Sequence, residues 1–426
     1  STRFLSNKCF SSRAMFLKRL HKKRRTKKKP KVSTEVHVYD SDHSSSSTTS
    51  EVHEDLSKAV QCDMPQHTVL NEDFGNPIDR VEDLSIHPSP ITSTVIASDG
   101  SSEDLVIWFG DKLGHVYFFQ VGSPVHKMQE KHEKSVTSMC YSKTTKRVIS
   151  GGKDGAIYQW DAFAGGHTHS FLRAHRSAIT GLSTSTNSTL LFACSIDKKI
   201  SVWNLQEQIL MHTFYGPLSA IYAISANEKE CCVAVGADCV PRYYKTAQGT
   251  HSTYESADTF VECVCCLTDN LFVCGTAQGT LLVHDVVKSK PIATYELSHG
   301  FGFIGDGSGF EKVNCRSTIE VANQWNGNAV WSICSLNFRS SSKSLLFATG
   351  SCDGHVRIWR FVNESISRLC DFPVEGIITS LDFSSASRKL IASAAKEPRN
   401  GRWQTWTTVS NRIVLLQMDV FLFGDS

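Results

Sequence analysis

The chain has 426 residues, 40% of them hydrophobic and 10% aromatic, with a formal charge of +3. That suffices for a buried core, and no stretch approaches the roughly eighteen uninterrupted apolar residues of a membrane helix, so a soluble protein with no membrane partner is expected. The small net charge hides a division: residues 1–34 hold thirteen Lys or Arg and no acid, residues 35–83 hold twelve acids against two bases, and from 84 onward thirty of each cancel. A near-neutral body supplies no general field for nucleic acid, so any such binding there requires a local patch.

An arm comes first in chain order, basic over 1–34 and acidic and serine-rich over 35–66. Between Lys18 and Lys31 ten of fourteen positions are basic, with Lys22, Lys23, Arg24, Arg25, Lys27, Lys28 and Lys29 at the centre. Such density self-repels and buries no apolar surface, which predicts a disordered N-terminal arm. The run reads as a nuclear or nucleolar address and a non-specific phosphate binder; a solubilising tail is the plainer alternative. A mitochondrial presequence is suggested by acid-free Ser1–Leu20, with Arg3, Arg13 and Arg19 among Phe4, Phe10 and Phe16, but the lysine block that follows fits it poorly. Asp40–Asp55, DSDHSSSSTTSEVHED, is either a target for phosphorylation, at about −1.5 to −2 charges per phosphate, or an inert spacer. Residues 67–83 form a lead-in.

From residue 84 to 418 one pattern recurs: a β-rich apolar run, a polar turn, and a second run ending in an aromatic ring. The copies are FGDKLGHVYFF, ISGGKDGAIYQW, FACSIDKKISVW, AVGADCVPRYY, CGTAQGTLLVH, ATGSCDGHVRIW and ASAAKEPRNGRW, ending at Phe119, Trp160, Trp203, Tyr244, His284, Trp359 and Trp403. The gaps are 41, 43, 41, 40, 75 and 44 residues, and all but one match the spacing of a four-stranded blade. Seven anchors predict an all-β, seven-bladed propeller, because a single blade cannot bury both its faces. Asp154-Gly155 and Asp353-Gly354 provide the positive φ that tight turns demand. The long gap marks a loop insertion at 299–328. Gly300, Gly302, Gly305, Gly307 and Gly309 suggest a phosphate cradle, but no GK[ST] and no helix pattern follow them, so a surface loop carrying partner contacts is expected. Ring closure falls either on Arg412–Gln417 or on a strand from the 66–88 region, and 419–426 form a tail.

The fifteen cysteines are scattered through apolar runs, as at Cys194, Cys232 and Cys274, where a reduced thiol acts as a small hydrophobe. Cys263, Cys265, Cys266 and Cys274 lack the paired spacing of a zinc site, so no metal and no cofactor are expected.

On His132, Ser150, Asp154 and Trp160, with Asp161 following, the second unit resembles the WD-repeat proteins, in which such residues form a buried hydrogen-bonded relay. The third unit keeps His175, Asp197 and Trp203 but has Ala193 at the serine position. The sixth keeps Thr349, Asp353 and Trp359, with Asn326 where a histidine would stand. His132, Ser150 and Asp154 superficially imitate a hydrolase triad. The serine sits in no nucleophile elbow, however, and its analogues recur without a fixed triad, so a structural relay and no enzyme are expected.

The last third narrows the resemblance. LCDFPVEGIITSLDFSS at 369–385, ATGSCDGHVRIW at 348–359 and the Ser298-His299-Gly300 start of the insertion are similar to the WD-repeat protein family of the U3 small nucleolar ribonucleoprotein. The last blade of that family ends in Gly-Gln-Glu-His-Arg-x-Gly-Arg-Trp. Here Glu397, Arg399, Gly401, Arg402 and Trp403 match, whereas Ala395, Lys396 and Pro398 depart. The resemblance implies a nuclear and nucleolar, non-catalytic component of the particle that guides early cleavage of the small-subunit ribosomal RNA precursor. Its implied partners are the U3 small nucleolar RNA, a kink-turn-binding protein and other processome proteins. On such a propeller the outer-to-inner loops and the second-to-third-strand turns share a face, and there Lys134, Lys153, Arg176, Lys198, Lys199, Lys396, Arg399 and Arg402 are the candidate RNA-binding residues. The competing reading is a protein-only WD-repeat scaffold, such as a ubiquitin-ligase substrate receptor or a chromatin-associated adaptor. A ligase-docking helix or a peptide-sized acidic or aromatic central pocket would mark it, and the sequence shows no clear docking motif.

Overall fold

The computed structural model describes residues 78–98, 105–171, 174–300, 328–336, 344–401, 405 and 409–418. The arm with its basic run at 22–29, Asn326 and most of the insertion, Arg402, Trp403 and the tail lie outside them. Among the described residues every regular element is a strand, and the strands form seven four-stranded antiparallel sheets, an all-β seven-bladed WD-repeat propeller as the repeat predicts.

Blade 1 comprises β2–β5 (Ile91–Ser98, Leu105–Asp111, Val116–Gln120, His126–Lys127), and blade 2 comprises β6–β9 (Val136–Ser142, Arg147–Gly152, Ile157–Asp161, His167–Phe171). Blade 3 is β10–β13 (Ile179–Thr184, Leu190–Ser195, Ile200–Asn204, Ile209–Phe214), and blade 4 is β14–β17 (Ile221–Ala226, Cys231–Gly236, Arg242–Lys245, Thr250–Thr253). Blade 5 is β18–β21 (Val261–Cys266, Leu271–Thr276, Leu281–Asp285, Pro291–Tyr295), and blade 6 is β22–β25 (Ser332–Ser335, Leu345–Gly350, His355–Val362, Ser365–Pro373). Blade 7 takes β26 (Ile377–Ser384), β27 (Lys389–Ala395) and β28 (Asn411–Met418) from the end of the chain and its outer strand, β1 (Ile78–His87), from the beginning. Both candidate closing segments are therefore used, paired with one another: Ser85 opposes Ile413 and His87 opposes Asn411. The ring accordingly reaches back to Ile78, into the expected lead-in.

Blade 7 corrects the repeat register. The third strand does not end at Trp403 but lies at Asn411–Met418. Leu416 pairs with Leu390 as Trp160 pairs with Val148, so a leucine holds the aromatic position. The segment from Lys396 to Ser410 is a long β27–β28 connection, and the tryptophan that kept the period belongs to that connection.

The core lies between blades. Phe192, Val202 and Phe214 of blade 3 pack on Ile221, Ile224, Cys232 and Tyr244 of blade 4, and Ile391, Ile413 and Leu415 of blade 7 pack on Ile91, Ile107 and Phe119 of blade 1. Each large side chain so buried contributes about 1.5–3 kcal/mol. Strand alternation also separates the four clustered cysteines. Cys263 and Cys265 enter the core shared with blade 6, while Cys266 and Cys274 enter the one shared with blade 4, so they do not converge on one point.

The innermost strands neighbour one another around a central channel without laddering, which leaves inward N–H groups in need of acceptors. Side chains of the preceding blade supply them. Ser93 accepts from Met139 N (3.0 Å), Ser138 from Leu182 N (3.0 Å), Ser183 from Ala226 N (2.9 Å) and Ser225 from Cys266 N (3.0 Å). Ser332 accepts from Leu381 N (2.9 Å), and at the closing interface Ser380 accepts from Thr94 N (3.3 Å) and Asp382 from Ile96 N (2.7 Å). Between blades 5 and 6 the Cys265 sulfur takes the serine's place, accepting from the Ser335 backbone.

At the anchor position of blade 5, His284 stacks on Phe272 (5.0 Å between ring centroids, 10° between planes), and neither ring nitrogen has a hydrogen-bond partner among the described residues. Burial pulls its pKa down to about 4 from 6.5. The fold thus favours the neutral ring: its stability is intact above the unfolded value and falls as pH drops from 6.5 toward 4, by up to about 3 kcal/mol. Urea denaturation of His284→Phe is expected to lose about 2 kcal/mol less than the parent protein between pH 7.5 and pH 5; equal losses would show that this ring does not titrate with unfolding.

Candidate nucleic-acid interface

The loops of one face are positioned by the relay. In blade 2, His132 Nδ1 lies 3.1 Å from Asp154 Oδ2 and its Nε2 lies 2.9 Å from Ser150 Oγ, which also accepts Trp160 Nε1–H at 2.9 Å. Asp154 further accepts the backbone N–H groups of Glu133 and Ala156. Burial raises its pKa, but the hydrogen bonds and the His132 charge outweigh this, and the net direction is downward. His132, Ser150 and Trp160 are wholly buried. A hydroxyl with both its hydrogen-bonding directions occupied and no exposed surface has no approach for a substrate.

Two expectations about the relay are corrected. Blade 3 does not lose its hydroxyl at Ala193: the residue paired with Ala193 across the sheet, Ser201, supplies it, 2.7 Å from His175 Nε2 and accepting Trp203 Nε1–H at 2.8 Å. In blade 6 the histidine position is filled not by Asn326 but by His299, at the start of the insertion, with Nδ1 3.0 Å from Asp353 and Nε2 2.9 Å from Thr349 Oγ1. The insertion is spliced between the relay histidine and its blade.

Four of the connecting loops are tied backward as well. His132 N donates to Gly114 O (2.9 Å), His175 N to Gly155 O (3.1 Å), Ser298 N to Gly279 O (2.8 Å) and Val374 N to Gly354 O (2.8 Å). These turn glycines have φ of 88°, 78°, 82° and 75°. A Cβ at Gly114 would press on the His132 and Lys134 carbonyl oxygens. Each of these outer-to-inner loops thus lies over the second-to-third-strand turn of the preceding blade, and these loops and turns share one face.

On that face the candidates separate by accessibility. Lys134, Arg176 and Lys198 are exposed; Lys198, in a left-handed conformation, donates Nζ to Leu218 O (2.7 Å), and Lys199 lies 5.3 Å over the Tyr215 ring. Lys396 is half-buried, its N–H on Asn411 Oδ1 at 2.9 Å. Lys153 and Arg399 line the channel mouth. The Lys153 pKa is lowered by burial, then by the charges of Lys112 and Arg399. Sequence reasoning missed Lys112, which bonds Glu397 (2.8 Å) and Gly401 O (2.9 Å) and so holds the β27–β28 connection down. Its signal was positional, the turn of FGDKLG matching that of GGKDG, which carries Lys153. Blades 7, 1, 2 and 3 together carry a basic arc.

The WD domain, G-beta repeat family model matches residues 122–161, 166–204 and 318–360. The U3 snoRNP-associated protein-like YAO of Arabidopsis thaliana is 27% identical over 76% of this chain and 62% of its own length. The structure of U3-55K superposes with a TM-score of 0.70 at 25% identity, covering 80% of this chain and 100% of that one, and RRP9 WD40 repeats with 0.71 at 25%, covering 81% and 99%. The chain is a WD-repeat β-propeller, and the proteins it is similar to include several named as U3 snoRNP-associated. It spans 56% to 62% of the length of the first curated relatives it matches.

Removing a relay hydroxyl from this WD-repeat propeller strands a buried imidazole nitrogen and a buried indole N–H. Ser150→Ala and Ser201→Ala are each expected to cost about 2 kcal/mol in chemical denaturation. A neutral Ser201→Ala would show that the relocated hydroxyl does not replace the one missing at Ala193.

Proposed function

We propose that the chain is a non-catalytic, RNA-binding component of the U3 small nucleolar ribonucleoprotein, acting in the nucleus and nucleolus in ribosomal RNA processing and small-subunit biogenesis. The observation that carries this reading is the match of the described ring to the whole U3-55K chain, together with relatives named for the same particle. The basic arc is the face offered to U3 RNA. A folded RNA is met through shape and phosphate, which suits a rim of separate exposed Lys and Arg more than one deep charged groove. Lys134, Arg176 and Lys198 make the outer contacts, and Lys396 adds to them; Arg402 is a further candidate on the sequence alone. Because the body is nearly neutral, much of the affinity comes from a surface assembled with a kink-turn-binding protein and other processome proteins. The buried state of Ser150 supports the non-catalytic part.

In-cell crosslinking of the tagged protein, followed by sequencing of the bound RNA, is expected to return chiefly U3 small nucleolar RNA. The Lys134→Glu/Arg176→Glu double variant should lower that recovery about tenfold while leaving the unfolding midpoint unchanged, since both side chains are exposed. Recovery of proteins with no dominant RNA would remove the RNA-binding reading.

A further inference from the structure

The face that carries the basic arc changes character around the ring. On blades 1 to 5 the first residue of the second-to-third-strand turn is fixed by one backbone bond to the loop before its blade. Lys112 N donates to Pro90 O (3.1 Å), Lys153 N to Ser135 O (2.9 Å), Ile196 N to Ala178 O (3.1 Å), Ala237 N to Ala220 O (3.0 Å) and Ala277 N to Phe260 O (2.8 Å). This position is cationic on blades 1 and 2 and apolar on blades 3, 4 and 5. A second position is marked by a loop N–H that donates to the turn aspartate: Glu133 to Asp154, Arg176 to Asp197 and Leu218 to Asp238. Blade 4 thus has leucine where blades 2 and 3 have a charged residue.

Ile196, Leu218 and Phe260 are 47%, 77% and 50% exposed, and hydrogen bonds join their loops into one strip. Lys198, two residues after Ile196, donates Nζ to Leu218 O (2.7 Å), and Leu218 N reaches Asp238 (3.1 Å). The carbonyl of the adjacent Cys239 accepts Ala257 N (2.8 Å), three residues before Phe260. Exposed Tyr215, with Lys199 over its ring, adds to the strip on the blade 3 side. A single exposed leucine is ordinary, whereas a contiguous run of exposed apolar side chains marks an interaction surface. The charge changes with it. Among the described residues, the loops and turns of this face on blades 4, 5 and 6 hold Asp238, Glu255, Asp258, Glu296, Asp353 and Glu375 and no Lys or Arg outside the strands.

We propose that the Ile196–Leu218–Phe260 strip docks a protein partner through a segment that combines apolar side chains with Lys or Arg. The apolar side chains cover the strip, and the cations meet the carboxylates beside it, of which Asp258 is exposed two residues from Phe260. A nucleic-acid backbone fits this sector poorly, because its phosphates would meet carboxylates with no cation to replace their counterions. The basic arc on the other side repels the same protein segment, so the division of charge across the face orients it. The strip contains none of the residues proposed above to contact RNA, so the two readings fail separately.

The test titrates the full chain into a fluorescein-labelled nonapeptide, Lys-Leu-Lys-Phe-Lys-Leu-Lys-Phe-Lys, and reads anisotropy. Two comparison peptides replace every Lys by Glu, or every Leu and Phe by Ala. The parent protein should bind the first peptide about tenfold more tightly than either comparison peptide. Leu218→Ser/Phe260→Ser and Asp258→Lys should each weaken that binding about fivefold with an unchanged unfolding midpoint, since all three side chains are exposed. Leu218→Ala serves if the double variant unfolds. Recovery of RNA by in-cell crosslinking should be the same for Leu218→Ser/Phe260→Ser as for the parent. Equal binding of the glutamate peptide, or folded Leu218 and Phe260 variants that bind as the parent does, would overturn the proposal. So would a loss of crosslinked RNA in the double variant, which would make the strip part of the RNA face.

Discussion

The ring rests on a hydrogen-bonding debt at its narrowest point. Seven twisted sheets packed face to face bring their first strands together around the channel, where those strands cannot pair as a ladder, yet a buried N–H without an acceptor costs about 1–3 kcal/mol. Each blade settles this with a side chain from the blade before it: six interfaces use a serine hydroxyl, and the seventh uses the Cys265 sulfur. The acceptor is always one blade away, so no blade is complete alone. This also explains why closure draws on both ends of the chain: Ser380 and Asp382 reach the first blade only if blade 7 is finished, and β1 finishes it.

The outer level repeats the logic with the His-Asp-hydroxyl relay. A loop is tied backward to the preceding turn through its backbone and forward to its own blade through His132, His175 or His299. Because both ties lie close to the histidine, chain inserted beyond it disturbs neither. Blade 6 does this: His299 keeps its bonds to Asp353 and Thr349 although the next strand begins at Ser332. Loop-closure cost grows only slowly with length, so a long insertion there is thermodynamically cheap. Arg357 reinforces the same relay by pairing with Asp353 and with Asp371 on the adjacent strand.

Legibility in the sequence followed range. The blades could be read because a strand, a tight turn and an anchoring ring sit within a dozen residues, and the glycines at 155 and 354 announced their own φ. What failed to be read was whatever the fold brings from afar or supplies by substitution. Trp403 kept the period while the real third strand began at Asn411; Asn326 kept the expected spacing while His299 held the position; Ser201 replaced Ala193 from the neighbouring strand, a swap visible only once the pairing register is known. Of the candidate surface, Lys134 and Arg176 were legible because they flank relay histidines. Lys112 was not, and nothing local showed that Arg399 turns inward while Lys134 turns out.

The channel mouth is where the two levels meet, and it shows how a repeat protein frees a position for function. The threonines of blades 2, 3 and 7 are committed there, since their hydroxyls bridge to the next blade. Glutamate at that level in blade 5 makes no such bridge, and a neighbouring group carries it. Cys263 does so beside Glu262. Here the bond in blade 5 is preserved and only the channel-facing chemistry is changed. The same reasoning applies to the β27–β28 connection. Its length abandons the tight turn used elsewhere, yet Asn411 still binds both its start, through Lys396, and the β1–β2 link, through the His87 carbonyl. The base of the connection is thereby fixed to its blade, while Arg399 lines the channel mouth.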